Sequence, residues 1–273
     1  MHIHAHSLRT GYADIAAEIL AQGHETSPRG ERTVEVLGAS LTLDDPADTL
    51  PVGTGRGVVK RLAATETLQL IGGFHDPDAL VAAAPHFAKY LDEDGEQRAP
   101  YGPRLHHQLP VAVRRLVEDP DTRQAQVVVW DPFSDNEPGL HDYPCTTSLQ
   151  FLVREGELHM QVHMRSNDFW LGLPYDAFMF TQLQLTVANV LGLEPGAYRH
   201  SAASLHIYEK HLEQADALTA PASGPLPTYG IDALSWSMAV DRARGLHGDE
   251  HVGWSMSAGE QWLRMAMAST NAH

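Results

Sequence analysis

Two alternating apolar runs, Leu149, Phe151, Val153 and Leu158, Met160, Val162, Met164, flank the dipeptide Glu155-Gly156. Alternation puts every second side chain on one face, and a two-residue break ending in glycine suits a tight hairpin. The middle of the chain is therefore expected to carry a sheet, with Gln126 to Trp130 as a further strand. After the hairpin, Leu171-Gly172-Leu173-Pro174 turns the chain. Phe180, Leu183, Val187, Val190 and Leu191 then form a long apolar helix, stopped by Gly192 and Pro195. The hairpin also joins distant positions: Cys145 leads into one arm and Arg165 leaves the other, so the two meet at one end of the sheet.

Upstream, Tyr12, Ile15, Ala16, Ile19 and Leu20 fall at helical spacing, and Gly23 ends the first amphipathic helix. Ser27-Pro28-Arg29-Gly30 is turn chemistry, which puts Arg29 on a loop entering a strand. That strand (Val34, Val36, Leu41, Leu43) is interrupted near Gly38 and ends at Asp44-Asp45-Pro46. From Val58 to Leu70 the apolar stripe Val59, Leu62, Ala63, Leu70 also contains Glu66, which lies at i+3 and i+4 from 63 and 62. A carboxylate on such a stripe is costly unless it has a partner or a task. The other reading is a helix turned so that Glu66 reaches solvent. Asp176 stands at the start of the apolar helix, where the helix dipole favours an ordinary carboxylate.

With 273 residues, 43% of them hydrophobic, the chain can bury one substantial core. A formal charge of -16 argues against broad binding to nucleic acid or anionic membranes, so an anionic small substrate needs a local cluster of arginines. No apolar run approaches the ~18 residues of a membrane helix and Met1 to His6 has no signal-peptide pattern, so a soluble cytoplasmic protein is expected. The single cysteine excludes an intrachain disulfide. It is either a small core residue or a nucleophile, and Arg165, Arg123 and Arg29 are the candidates to pull its pKa toward neutrality. A rival from another class rests on His2, His4 and His6, alternating histidines that could serve a metal-dependent hydrolase.

Tyr143-Pro144-Cys145, Gln150-Phe151, Arg165-Ser166-Asn167-Asp168, Leu171-Gly172-Leu173-Pro174-Tyr175-Asp176 and His206-Ile207-Tyr208-Glu209-Lys210-His211 resemble, in order and spacing, the core of the thymidylate synthase family. Tyr101-Gly102 and Thr122-Arg123 fit its upstream motifs. The resemblance covers about residues 12 to 211 of a single domain spanning 1–273. It leaves 212–273 as a divergent C-terminal segment, in which Trp236, Trp254 and Trp262 suit core or dimer packing. It implies an α/β (α+β) fold with a large mixed sheet flanked by helices, an obligate homodimer formed through a sheet face, and 5,10-methylenetetrahydrofolate as co-substrate, with no metal.

Residue by residue, the resemblance makes Cys145 the nucleophile that adds to C6 of a pyrimidine nucleotide. Glu66 becomes the acid and base carboxylate near the base, and Tyr101 the tyrosine tied to removal of the C5 proton. Arg29, Arg165 and Ser166 become phosphate ligands, with Arg123 lent by the partner subunit. Asp168 faces the folate, and His206 and Tyr208 bind the sugar hydroxyl. Members acting on deoxyuridylate have asparagine where this chain has Asp176. Cytosine reverses the hydrogen-bonding edge that an amide reads on uracil, so aspartate points to CMP or dCMP and resembles the cytidylate hydroxymethylases. Thymidylate synthesis from dUMP is the alternative. Gln124 replaces a second arginine, Thr146 a histidine, and Phe87-Ala88-Lys89 a folate-side tryptophan, whose loss would admit water. Ala202-Ala203-Ser204 replaces Gly-Gly-Asp, a lean toward the ribonucleotide and nucleoside-antibiotic pathways.

Overall fold

A computed structural model describes residues 1–95, 97–140 and 142–221. In chain order the elements are β1 (His2–Ala5), α1 (Leu8–Gln22), β2 (His24–Thr26), β3 (Thr33–Leu43), α2 (Lys60–Gly72), α3 (Pro77–Ala83), α4 (Tyr101–His106), α5 (Leu109–Glu118), β4 (Gln126–Val128), β5 (Thr146–Arg154), β6 (Glu157–Met164), β7 (Asn167–Asp168), α6 (Leu173–Leu191), β8 (Glu194–Tyr208) and α7 (Leu212–Asp216). Short 3-10 turns lie at Pro28–Gly30, Pro85–Tyr90 and Glu209–His211. Trp236, Trp254 and Trp262 lie outside the described residues.

The strands form one mixed sheet in the order β1-β3-β8-β6-β5-β4, with β2 paired to β3 and β7 to β8. The expected hairpin is β5–β6: Arg154 pairs with Glu157, and Glu155 and Gly156 both take positive φ (54° and 83°). Those two left-handed residues match the right-handed twist of the arms. The interruption foreseen near Gly38 is a bend within one continuous strand. The register with β8 is the same on both sides of Gly38 (Leu37 with Ser204, Ala39 with Ala202), and Gly38 has φ 64°. Buried positions change phase there in both strands, from Ala39 to Val36 and from Ala202 to Leu205. A residue other than glycine would strain at that backbone angle.

Helices α1 and α6 cover one face of the sheet, and α2 packs on α6. Between the layers lie the fully buried Tyr12, Phe151, Phe169, Phe180 and Tyr198. Burying such side chains stabilises by about 1.5–3 kcal/mol each. Gly23 caps the end of α1 in extended conformation, and only glycine fits there, since a Cβ would stand 2.5 Å from both Ile19 O and the Val34 side chain. A second apolar cluster, Leu62, Ala63, Leu80, Ala84, Phe87, Tyr175 and Phe178, fills the space beside the site. The stripe expected on α2 holds except at Val59, which is 42% exposed because it precedes the helix and serves as its N-cap. The opposite sheet face carries half-exposed Thr42, Gln150, Gln161, Arg199 and Ser201. No described helix is long and apolar enough to cross a membrane.

Candidate active site

The mouth of the site is the end of the sheet where β5 begins and β6 ends. The Arg165 amide donates to Cys145 O at 2.8 Å, so the two chain-distant residues meet there as expected from the hairpin. Helices α2, α4 and α6 and the 3-10 turn at Pro85–Tyr90 close the other sides. They leave a cavity of about 230 Å³ lined by Glu66, Tyr101, Cys145, Ser166, Asp168 and Asp176, among others. Six expected site residues thus share one cavity.

Tyr101 opens α4, and its hydroxyl accepts from the backbone N–H groups of Cys145 and Thr146, both at 3.2 Å. Gly102 makes that approach feasible, since a Cβ would lie 2.3 Å from Gln69 O. The Cys145 thiol is pushed up to about 11 by burial, against the lowering influence of Arg165 and, more weakly, Arg29. This corrects the expectation of a near-neutral thiol. Arg165 spends most of its guanidinium on backbone, with Nε to Pro144 O at 2.9 Å and Nη2 to Tyr143 O at 3.1 Å, and stands 3.8 Å from Cys145 Sγ. One partly satisfied cation does not offset the loss of water around a buried thiolate.

Two carboxyls share the cavity with the thiol. Glu66 is raised to about 8, first by burial and then by the charge of Asp176, and its Oε2 has no hydrogen-bond partner among the described residues. Glu66 therefore does not turn to solvent. Asp176, in the first turn of α6, is raised to about 7 by burial although Asn167 donates to its Oδ2 at 2.7 Å. Desolvation, and not the helix dipole, decides its state. Gly172 permits this crowding, because a Cβ there would lie 2.9 Å from Asn167 Nδ2 and from Asp168 O, and 3.2 Å from Asp176 Oδ2. Strongly raised carboxyls in a cavity beside a thiol are suited to holding and moving protons near neutral pH.

Asp168 links the cavity to the other expected residues, which do not line it. Asp168 pairs in register with His206 across β7 and β8, and its Oδ1 accepts from the Trp170 and Leu171 amides. His206 is lowered by burial, and its ring meets Tyr208 edge-on with centroids 5.2 Å apart. Arg29 occupies the left-handed region (φ 55°, ψ 25°) in its turn, and its charge is felt at Tyr208, Cys145 and His206. A non-glycine residue held there is a strained placement of the kind found at ligand contacts. Arg123 is exposed and does not line the cavity, so the fold of the single chain does not bring it to this site. Gln124 accepts from Arg115 at 2.6 Å.

The segment that replaces the folate-side tryptophan still puts aromatic rings on the cavity wall. Phe87 and Tyr90 both line the cavity and meet edge-on at 5.4 Å. Sequence reasoning also missed Asn167, His200 and Tyr198, described below, and His86 and Asp142 on the cavity wall. The N-terminal histidines pair singly, His4 with Asp44 at 2.7 Å and His6 with Asp45 at 3.9 Å. No cluster of three or more metal-ligating side chains forms among the described residues.

Residues 10–242 match the family described as Thymidylate synthase. The deoxyuridylate hydroxymethyltransferase of Bacillus phage SP01 is 29% identical over 214 residues, covering 72% of this chain and 56% of that protein. The chain thus spans about half the length of that relative. A match over most of the chain, on a mixed sheet that gathers the motif residues into one cavity, has one meaning: the chain belongs to the thymidylate synthase family.

Proposed function

We propose that this protein transfers a one-carbon unit from 5,10-methylenetetrahydrofolate to C5 of a cytidylate, with water completing the reaction to give 5-hydroxymethylcytidylate and tetrahydrofolate. The observation that carries the proposal is Asp176, set on α6 inside the cavity that holds Cys145 and Glu66. Phe87, Tyr90 and Tyr175 on the same wall offer flat apolar surface to a planar heterocycle. Hydroxymethyl transfer is also the activity named for the phage relative, on deoxyuridylate.

Each residue has a task in this scheme. Cys145 gives up its proton and its sulfur bonds to C6, leaving C5 able to attack the methylene carbon of the folate. Protonated Glu66 supplies a proton near the base as charge develops, while Asp176 accepts from the exocyclic amine and shares the proton at N3. Tyr101, already holding two backbone amides of the Cys145 segment, is assigned to removal of the C5 proton, a role its position in the cavity supports. Loss of that proton expels tetrahydrofolate and leaves an exocyclic methylene. Water adds to it and the C6–S bond breaks, returning the thiol. Arg165, Ser166 and Arg29 hold the phosphate, with Arg123 from a second copy across the half-exposed sheet face. Asp168 meets the folate.

The sugar is proposed to be ribose, read by His206 and Tyr208. In support, Ser204, which stands where the family has an acidic residue, donates at 2.5 Å to Glu35, whose strand position faces His206. Tritium release from C5-labelled CMP in the presence of the folate tests the scheme. Release from CMP in excess over dUMP is expected, and release from labelled dUMP alone overturns the assignment of the base.

A further inference from the structure

Behind Asp176 runs a buried polar chain that the proposed chemistry does not use. Asn167 Nδ2 donates to Asp176 Oδ2 at 2.7 Å, Asn167 Oδ1 stands 3.0 Å from His200 Nε2, and His200 Nδ1 stands 2.9 Å from the Tyr198 hydroxyl. Asn167, His200 and Tyr198 are each at most 2% exposed. Burial holds His200 down at about 4, so its ring is neutral, with one N–H and one bare nitrogen. The direction of the whole chain then follows. An amide nitrogen only donates, so Asn167 Oδ1 accepts from the Nε2–H of His200, whose Nδ1 accepts from the Tyr198 hydroxyl.

That direction matters for the base. A carboxylic acid can present its donor and acceptor in either order, depending on which oxygen bears the proton. Cytosine and uracil present opposite orders at N3 and the C4 substituent. Because Asn167 points a donor at Oδ2, the proton of Asp176 is confined to Oδ1, and only one order is offered. The reverse order needs the amide of Asn167 turned over, which in turn needs the other tautomer of His200 and deprives the Tyr198 hydroxyl of the Nδ1 acceptor to which it donates. A hydroxyl buried without its acceptor disfavours that arrangement. Gly172 holds the contact tight by admitting Asn167 Nδ2 to the space a Cβ would fill.

We propose that Asn167, oriented by His200 and Tyr198, is a specificity-determining positioning residue that fixes Asp176 to read cytosine and reject uracil. This rests on the cytidylate assignment above. The test compares kcat/KM for CMP and dUMP, and equilibrium binding of each, in the wild-type protein and in Asn167→Leu, His200→Phe and His200→Gln. Gln retains an N–H for Asn167 Oδ1 and should keep the preference for CMP. Asn167→Leu and His200→Phe should each narrow that preference at least about tenfold, mainly through KM for the two bases, and shift the acidic limb of the pH profile. A ratio unchanged in Asn167→Leu and His200→Phe overturns the positioning role while leaving the cytidylate reading intact. Absence of a CMP preference in the wild-type protein removes both. Should His200→Phe fail to fold, equal binding ratios for wild type and Asn167→Leu still decide against the proposal.

Discussion

Glu66 on α2 and Asp176 on α6 turn two carboxyls toward one cavity, and the charge of Asp176 helps to raise Glu66. Both are buried acids held well above the ordinary carboxylate range, at about 8 and about 7. In that state one can be ionised while the other keeps its proton near neutral pH, which is the division of labour an acid and a base need.

The pH dependence of stability follows with a definite sign. A folded pKa raised above the unfolded value means that the folded protein binds more protons between the two, so stability falls as pH rises through that window. For Glu66 the window runs from about 4.5 to about 8. Glu66→Gln should therefore melt above the wild-type protein at pH 8.5, with the difference vanishing below about pH 4.5, as thermal melts across pH will show. Its kcat should fall by about 10²–10⁴.

Alkylation of Cys145 should be slow at pH 7 and rise about tenfold per unit of pH until near pH 11, following the thiolate. Arg165→Ala removes the main lowering influence and should slow alkylation further at any given pH. Rates of iodoacetamide labelling, read by intact mass, check both. Cys145→Ser should form no covalent adduct with nucleotide and lose turnover.

Tyr101→Phe removes the acceptor shared by two backbone amides at the nucleophile. The variant should fold, bind nucleotide with little change and lose kcat, because the hydroxyl is placed for chemistry rather than for the apolar core. Steady-state kinetics set beside nucleotide titration separate these effects.

Two glycines should differ in kind. Gly102→Ala pushes a methyl against Gln69 O and Phe74 O, both backbone, and should destabilise by about 1–3 kcal/mol in denaturant titration. Gly172→Ala meets one backbone oxygen, Asp168 O, but also crowds the Asn167 and Asp176 side chains, and should lose activity out of proportion to its stability.

The fold's centre was legible because hairpin pairing is local: alternation around Glu155-Gly156 specifies which strand ends meet, and so joins Cys145 to Arg165. Glu66 was legible because helical spacing places it among Leu62, Ala63 and Leu70. The state of the thiol was not, since arginines are visible in a sequence and desolvation is not. Tyr90 was missed beside Phe87 because their turn is a 3-10 helix, in which positions three apart share a side. The chain from Asp176 to Tyr198 depends on contacts such as Asn167 with His200, 33 residues apart across β7 and β8, which no periodicity records. Arg123 shows the converse, a motif residue legible in sequence that the fold of the single chain leaves outside the cavity.

The central claim is that Cys145 names the chemistry and Asp176 names the base. Mass analysis of products after incubation with methylenetetrahydrofolate and CMP, dCMP or dUMP tests it most directly. The expected result is a cytidylate carrying an added hydroxymethyl group, with tetrahydrofolate as coproduct. A methylated uridylate with dihydrofolate would contradict it.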